Sequence, residues 1–366
     1  MVRILPKRFL FLGALLCCLF FTAALVAQVL PTLTTISPVA STIPANGDVN
    51  PYGVALVPLT QGKLVEGNIL VSNFNNSANR QGTGSTIVQI SPTGAVQLFA
   101  QINAMALPGS CPGGVGLTTA LVALRTGWVI VGSVPTSDGT SATIQAGCLI
   151  VLNSNGQVVE TVSGGKIAGP WDMTALDGNT TASLFVSNVL NNPNLNSTTP
   201  VNSGTVVRVD LQVSPSSKPV VKATTTIGSG FPVRFDPAAL IIGPTGVVLD
   251  ANNDLLFVAD TLNNRIAGIP NPATITTDAG NGVTLSQGGA LNGPLGLTRT
   301  PSGDIIAANS GDGNLVELTD NGQQVATKAV DTSGSPPGAG ALFGLLAVGN
   351  KIFFVDDAQN MLNVLE

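Results

Sequence analysis

Short apolar segments separated by turn residues recur along the chain, and they predict β-strands. Three kinds of segment follow one another in a fixed order. The first opens on a Gly or Pro turn, the second is apolar at nearly every position, and the third is apolar at its first and fourth positions. The third kind begins at residues 87, 149, 206, 266, 315 and 362. Beyond residue 27 no long stretch keeps a helical spacing of apolar residues, so helices are not expected.

The spacing of these segments predicts a β-propeller. The third segments begin 47 to 62 residues apart, which is the length of a four-stranded meander. Such a meander cannot bury both faces alone, and its wholly apolar second strand needs cover on both sides. Radial stacking of the repeats supplies that cover. We therefore predict an all-β fold, a six-bladed β-propeller of four-stranded antiparallel blades, with approximate blades at 50–102, 113–163, 168–227, 243–286, 293–331 and 342–366.

The sixth repeat lacks a fourth strand because the chain stops at Glu366, directly after the third. Residues 32–37 alternate as an edge strand should and belong to no other repeat. Pairing them beside residues 361–366 would close the ring and remove two exposed edges. The expected domain is a single propeller over residues 28–366, closed by its N-terminal strand.

The N-terminal residues are typical of a secretory signal peptide. Arg3, Lys7 and Arg8 precede an apolar run from Phe9 to Val26, and Ala27 ends a small-residue cleavage site. We expect cleavage after Ala27, a secreted or periplasmic protein, and no membrane span after cleavage. The alternative is an N-terminal membrane anchor, because the run of 18 residues is just long enough to cross a bilayer.

Composition removes several mechanisms. The chain contains no histidine, which excludes Ser-His-Asp and Cys-His relays and His-ligated metals. Without residues 1–27 the formal net charge falls from -5 to -8, because three basic residues and no acidic ones are removed. A nucleic acid partner is not expected, because phosphate binding needs a basic surface.

Cys111 and Cys148 are the cysteines that remain beyond residue 27. In an exported protein they are expected to form a disulfide. Two separate buried thiols are the alternative.

Residues 246–250 (GVVLD), 253–261 (NDLLFVADT) and 263–266 (NNRI) together resemble one full NHL repeat of a six-bladed propeller. The segment 50–99 is similar, and the other repeats match in part. The resemblance implies an architecture shared with gluconolactonase-like hydrolases, some lyases and strictosidine-synthase-like proteins, so the fold does not choose the function.

The metal site of gluconolactonase-like enzymes is matched only in part. For a working site, the resemblance implies that the metal is held by a glutamate at the start of the first inner strand, together with an asparagine and an aspartate from later blades. The corresponding segment here is Asn50-Pro51-Tyr52-Gly53, and no glutamate lies on an inner strand. Propeller lyases that rely on histidine are excluded by composition.

The longest expected loops, at 73–85, 133–147 and 188–204, and the blade links at 103–113 and 227–243 fall on one rim. Such loops favour a binding site there. The alternative is that these loops are low-complexity insertions that the fold tolerates and that have no binding role. The second strands end at this rim in oxygen-bearing side chains that suit Ca²⁺ or that hold turns by bonding the backbone. They are Asn73, Asn188, Asp260, Asn309 and Asp357.

Asp172 is the sharpest anomaly. It stands where the other first strands place Gly53, Gly116, Gly246, Gly296 and Gly344. A carboxylate in the channel is costly unless it is hydrated, paired or bound to a cation, and a shell of channel water is the simplest solution. With Tyr52 and Trp171 it forms the candidate channel mouth. The candidate metal ligands are Asp172, Asn188 and Asp260, with Ca²⁺ as the cofactor to test.

Two hypotheses follow. The leading one is an exported, non-catalytic propeller that binds a protein, glycan or small-molecule ligand through its loop rim. The alternative is an enzyme, a calcium-dependent hydrolase or lyase of the gluconolactonase-like type with a channel metal near Asp172.

Overall fold

The computed structural model describes residues 1–2, 28–191, 198–237 and 239–366. Apart from its first two residues, the predicted signal peptide lies outside the described residues. Antiparallel strands dominate the described part, and four short 3-10 helices join them. They are Leu30–Thr32, Ala104–Ala106, Ser141–Thr143 and Thr261–Asn263. No helix in these ranges is long and apolar enough to cross a membrane.

The strands form six sheets, each of which is one blade. The first strand of the chain, β1 (Ile36–Ser41), belongs to the last blade. Blade 1 contains β2 (Val49–Leu56), β3 (Ile69–Asn75), β4 (Thr86–Ile90) and β5 (Val96–Gln101). Blade 2 contains β6 (Leu117–Ala123), β7 (Val129–Ser133), β8 (Cys148–Leu152) and β9 (Val158–Ser163). Blade 3 contains β10 (Pro170–Asp177), β11 (Thr181–Asn188), β12 (Val201–Ser214), β13 (Ser217–Asp236) and β14 (Leu240–Ile242).

The second half of the ring repeats this arrangement. Blade 4 contains β15 (Pro244–Asp250), β16 (Leu255–Asp260), β17 (Arg265–Pro270) and β18 (Val283–Gln287). Blade 5 contains β19 (Pro294–Arg299), β20 (Ile305–Asn309), β21 (Asn314–Leu318) and β22 (Gln324–Ala329). Blade 6 contains β23 (Leu342–Val348), β24 (Lys351–Asp356), β25 (Met361–Leu365) and β1. The first strand of every blade contacts those of both neighbours, from β2 through to β23 and back. The predicted six-bladed propeller is confirmed.

The N-terminal strand closes the ring by pairing with the C-terminal one. β1 runs antiparallel to β25, with Ile36 opposite Leu365 and Ser41 opposite Met361. The predicted partner is therefore confirmed, but the strand begins at residue 36 rather than 32. The reason is that residues 30–32 turn into a 3-10 helix, which buries Leu30 between blades 5 and 6.

Neighbouring first strands approach so closely that most of them require glycine. A Cβ atom on Gly296 would lie 2.0 Å from the carbonyl oxygen of Phe343 in the next blade, and one on Gly246 would lie 2.1 Å from that of Leu295. Gly116, which the sequence groups with these residues, lies before β6 and instead contacts the loop residue Gly82. The ring of glycines is thus a packing requirement along the channel.

The second strands are buried on both faces, as their uniform apolarity predicts. All residues of β3, β7 and β20 are buried. The apolar clusters lie between blades rather than within them, so each interface stabilises two neighbouring sheets.

Candidate functional site

A cavity of about 390 Å³ runs along the propeller axis. The middle and end of each first strand form its wall, and it opens at the rim where first strands turn into second strands. Most of the lining residues are aliphatic, although polar atoms contribute nearly half of the exposed wall surface. Representative lining residues are Val54, Leu121, Met173, Val247, Leu297 and Leu345.

The opposite end of the channel is filled by aromatic side chains from the beginnings of the first strands. Tyr52 stacks on Phe343 with ring centroids 4.0 Å apart, and on Phe74 at 4.5 Å. The Trp171 ring lies 6.1 Å from that of Tyr52. Tyr52 and Trp171 are each only 1% exposed. The structure therefore places both residues in a buried aromatic cluster and not at an exposed channel mouth.

The long β12–β13 hairpin helps to close that end. β12 begins well before the point at which it meets β11, and β13 continues past it to pair with β14. Val233, Phe235 and Ile241 on this extension are buried in the same apolar cluster as Tyr52 and Trp171. The rim that carries the long loops is thus the closed end, and the accessible cavity opens at the other rim.

Asp172 lies inside the cavity wall on β10. Its Oδ2 accepts a hydrogen bond from the Val247 N–H at 3.0 Å, and its own N–H donates to Ser187 Oγ at 3.0 Å. Burial raises the pKa of the Asp172 carboxyl to about 7, although bonds from the Met173 and Val247 N–H groups oppose that shift. Among the described residues no lysine or arginine forms an ion pair with it.

The other ionisable side chains in the described lining are paired. Asp177 accepts a hydrogen bond from the Arg125 N–H at 2.7 Å, and the Arg125 guanidinium lies 3.5 Å away. Arg299 donates to Asp250 at 3.0 Å. Asp172 is consequently the single unpaired acid of this cavity wall. The sequence indicates Asp172 but not Asp177 or Arg299, because the loop lengths predict a site at the other rim.

The amides that end the second strands are engaged in hydrogen bonds with the protein's own backbone. Asn73 donates to the Thr42 carbonyl at 3.0 Å, and Asn309 donates to the Ala290 carbonyl at 2.8 Å. Asn188 donates to a carbonyl of its own strand at 3.2 Å. All three amides are fully buried. Asn73 and Asn309 bond backbone that is 31 and 19 positions away, so they fasten the strand end to the link that enters the blade and do not hold a local turn.

The two acids of the same set differ from each other. Asp260 is fully buried and accepts hydrogen bonds from Arg265 and Asn263, both at 2.9 Å. Asp357 is half-buried, and burial and the adjacent Asp356 raise its pKa to about 7.

The proposed calcium ligands are not assembled into one donor set. Asp172 faces the channel, whereas Asn188 and Asp260 are committed to their own strand ends. Within the described residues no group of three or more acidic or cysteine side chains is placed to hold a metal ion. Calcium takes six to eight oxygen ligands, so the residues around Asp172 do not fit it.

Cys111 and Cys148 form a disulfide, with their Cα atoms 5.2 Å apart. The predicted pairing is confirmed, and the alternative of two separate thiols is wrong. The bond ties the link between blades 1 and 2 to the first residue of β8. It therefore stiffens the closed end of the channel.

No protein-family model matches the chain, and no curated protein matches it. Among solved structures, a gluconolactonase of Xanthomonas campestris aligns with a TM-score of 0.50 and 11% identity, covering 91% of this chain and 97% of that one. Regucalcin of Agrobacterium tumefaciens, a calcium-binding protein, aligns with a TM-score of 0.53 and 12% identity, covering 90% and 93%. At this identity the likeness shows the propeller fold alone.

Proposed function

We propose that this protein is a non-catalytic binding protein that takes a small ligand into the open end of its channel. The observation that carries the proposal is the one-ended cavity, lined mainly by aliphatic residues, in whose described lining Asp172 is the one acid without an ion-pair partner. A nucleophile is normally activated by an adjacent base, and a general acid or base must be free to exchange a proton with the substrate. Asp177 and Arg299 are already paired, which favours binding over a hydrolase or lyase reaction.

The size of the cavity favours a small molecule over a protein or glycan. About 390 Å³ is near the lower end of the range for ligand pockets. The aromatic cluster blocks passage through the ring, so a chain could not thread it. The ligand would enter and leave by the rim of first-to-second-strand turns.

The wall chemistry favours an alkylammonium ligand. Aliphatic side chains suit a hydrocarbon body, while an ionised carboxylate among them is costly without a partner. A ligand ammonium would supply that partner through a charge-assisted hydrogen bond worth about 1.5–3 kcal/mol. That energy corresponds to a gain of about 10- to 150-fold in affinity over a neutral ligand of the same shape.

The experiment compares n-hexylamine with 1-hexanol and hexanoate by calorimetric titration at pH 8 and pH 6. We expect the amine to bind at least tenfold more tightly than the alcohol at pH 8, and hexanoate to bind least. Because the pKa of Asp172 is about 7, the ionised fraction falls at pH 6, and the amine should bind about tenfold more weakly there.

The Asp172→Asn variant should bind amine and alcohol equally at both pH values. A matched control, Thr174→Val, changes a polar side chain of the same strand and cavity wall without removing an acid, and should keep the preference for the amine. Failure of all three probes to bind would contradict channel binding. Equal binding of amine and alcohol to the unaltered protein would contradict only the ligand class.

A further inference from the structure

The segment that precedes β1 is held by a buried carboxylate. The Val29 N–H donates to Glu317 Oε1 at 2.6 Å, and the Leu30 N–H donates to Glu317 Oε2 at 2.9 Å. Leu30 and Leu33 are 1% and 5% exposed, and they pack in the apolar cluster between blades 5 and 6. Residues 29–33 therefore form a strap across the seam between these two blades.

Glu317 lies beside a second buried acid. Glu317 is 0% exposed and Asp304 is 3% exposed. Burial and the neighbouring Glu317 raise the pKa of Asp304 to about 6. Asp304 interacts with Glu317 both electrostatically and through a hydrogen bond between the two carboxyl groups, and none of the ion pairs found among the described residues includes either acid.

A pair of buried acids without a cation is costly, so the pair favours a positive group nearby. Two backbone N–H bonds satisfy Glu317 in part, but they carry no net charge. The negative charge of the pair is therefore not balanced, and a cation could reach it only from the exposed side of the strap. Gln28, directly before Val29, is exposed.

The backbone nitrogen of Gln28 is within reach of the acids. Standard bond lengths keep consecutive backbone nitrogens within about 3.7 Å of each other. The Val29 nitrogen is 2.6 Å from Glu317 Oε1, so the Gln28 nitrogen lies within about 6 Å of that oxygen. A charge at this position would interact with the buried Glu317 carboxylate, and through it with the adjacent Asp304.

We propose that Glu317 and Asp304 form a binding site for the chain's own α-ammonium group, created at Gln28 by cleavage after Ala27. Cleavage consumes one water: the Ala27–Gln28 amide bond breaks, Ala27 keeps a carboxylate, and the Gln28 nitrogen becomes an ammonium. Before cleavage that nitrogen is an uncharged amide. Removal of the signal peptide thus supplies the missing cation and fastens the strap to the seam between blades 5 and 6.

The test compares two otherwise identical chains released from a cleavable fusion. The first begins at position 28, and the second keeps Gly-Ser-Ala27 ahead of it, which displaces the ammonium by up to about 10 Å. Both carry Gln28→Ser, because an N-terminal glutamine can cyclise and lose its charge. The α-amino pKa is followed by NMR of a selectively ¹⁵N-labelled residue 28 or Gly, and thermal melting is measured in parallel.

In the chain that begins at position 28 we expect an α-amino pKa at least one unit above the ordinary range of about 7.7–8.0. The extended chain should show an ordinary value and a melting temperature lower by at least about 2 °C. Asp304→Asn leaves in place both hydrogen bonds that Val29 and Leu30 donate to Glu317, and it should reduce the pKa elevation in the first chain without affecting the second. Glu317→Gln should reduce it further, although it also weakens the strap itself.

An ordinary α-amino pKa in the first chain would overturn the proposal, as would an elevation that Asp304→Asn leaves unchanged. Intact-mass measurement of the exported natural chain provides the second arm. A mass that begins at residue 28 with an intact glutamine supports the proposal, whereas a cyclised glutamine, which carries no ammonium, would contradict it. A natural start at any other residue would overturn it.

Discussion

Replacing Asp172 by asparagine should change the free energy of unfolding by an amount that depends on pH. The pKa of the folded carboxyl is about 7, against 3.8 for an unperturbed aspartate. Each unit of pKa difference between folded and unfolded states is worth 1.36 kcal/mol. A difference of about three units therefore makes ionised Asp172 destabilising by up to about 4 kcal/mol.

The sign follows from proton uptake. Because the folded pKa is raised, the folded state holds the proton more tightly than the unfolded state does. The unaltered protein loses stability as pH rises from about 4 to about 7, and the full penalty is present above pH 7. Asp172→Asn cannot ionise, so its stability relative to the unaltered protein should increase by up to about 4 kcal/mol between pH 4 and pH 8.

Urea unfolding at half-unit pH steps measures this difference. Asp304, Asp356 and Asp357 also have raised pKa values, but they are present in both proteins and cancel in the comparison. Met173→Leu, a volume-conserving change at the adjacent residue, should keep the pH slope of the unaltered protein. Parallel stability curves for Asp172→Asn and the unaltered protein would refute the reasoning, because they would mean that the carboxyl is fully hydrated in the folded state.

Three further changes test the packing of the ring. Gly296→Ala should lower the free energy of unfolding by about 3 kcal/mol or more, because the new Cβ meets a neighbouring backbone carbonyl at 2.0 Å; a loss below about 1 kcal/mol in urea would contradict this. Replacing Cys111 and Cys148 by serine should cost about 4 kcal/mol for a 37-residue separation, and an unchanged melting temperature would argue against that contribution. Arg265→Leu should lower the free energy of unfolding by about 3–5 kcal/mol, because it leaves Asp260 buried without a cation. The double variant that also carries Asp260→Leu should recover part of that loss, and no recovery would contradict this explanation.

Sequence patterns were sufficient for the fold because each blade repeats the same burial pattern. A second strand such as β20, apolar at nearly every position, can only lie between covered faces. The partner of β25 was also predictable. The sixth repeat lacked a fourth strand, and the N-terminal strand belonged to no other repeat. The starting residue of β1 was not, since it depends on how Leu30 packs between two blades far away in the chain.

The site was only partly predictable. Asp172 was conspicuous because it breaks a glycine pattern that close packing imposes. The open end of the channel was not predictable, because it depends on where Tyr52 and Trp171 direct their rings and on the length of the β12–β13 hairpin. Glu317 carried no local signal either, since its partner Val29 is 288 positions away in sequence.

The pairing of β1 with β25 also fixes the order in which the molecule can be completed. During synthesis β1 is among the earliest strands to be made, yet its partner is among the last. At about 5–20 residues per second, the intervening residues take roughly 15–65 s to add. β1 stays unpaired for that time, and Pro38, which has no backbone N–H, makes it a poor template for pairing with other chains. Ring closure therefore cannot precede the synthesis of β25, and a circular permutant opened at another blade would remove this delay.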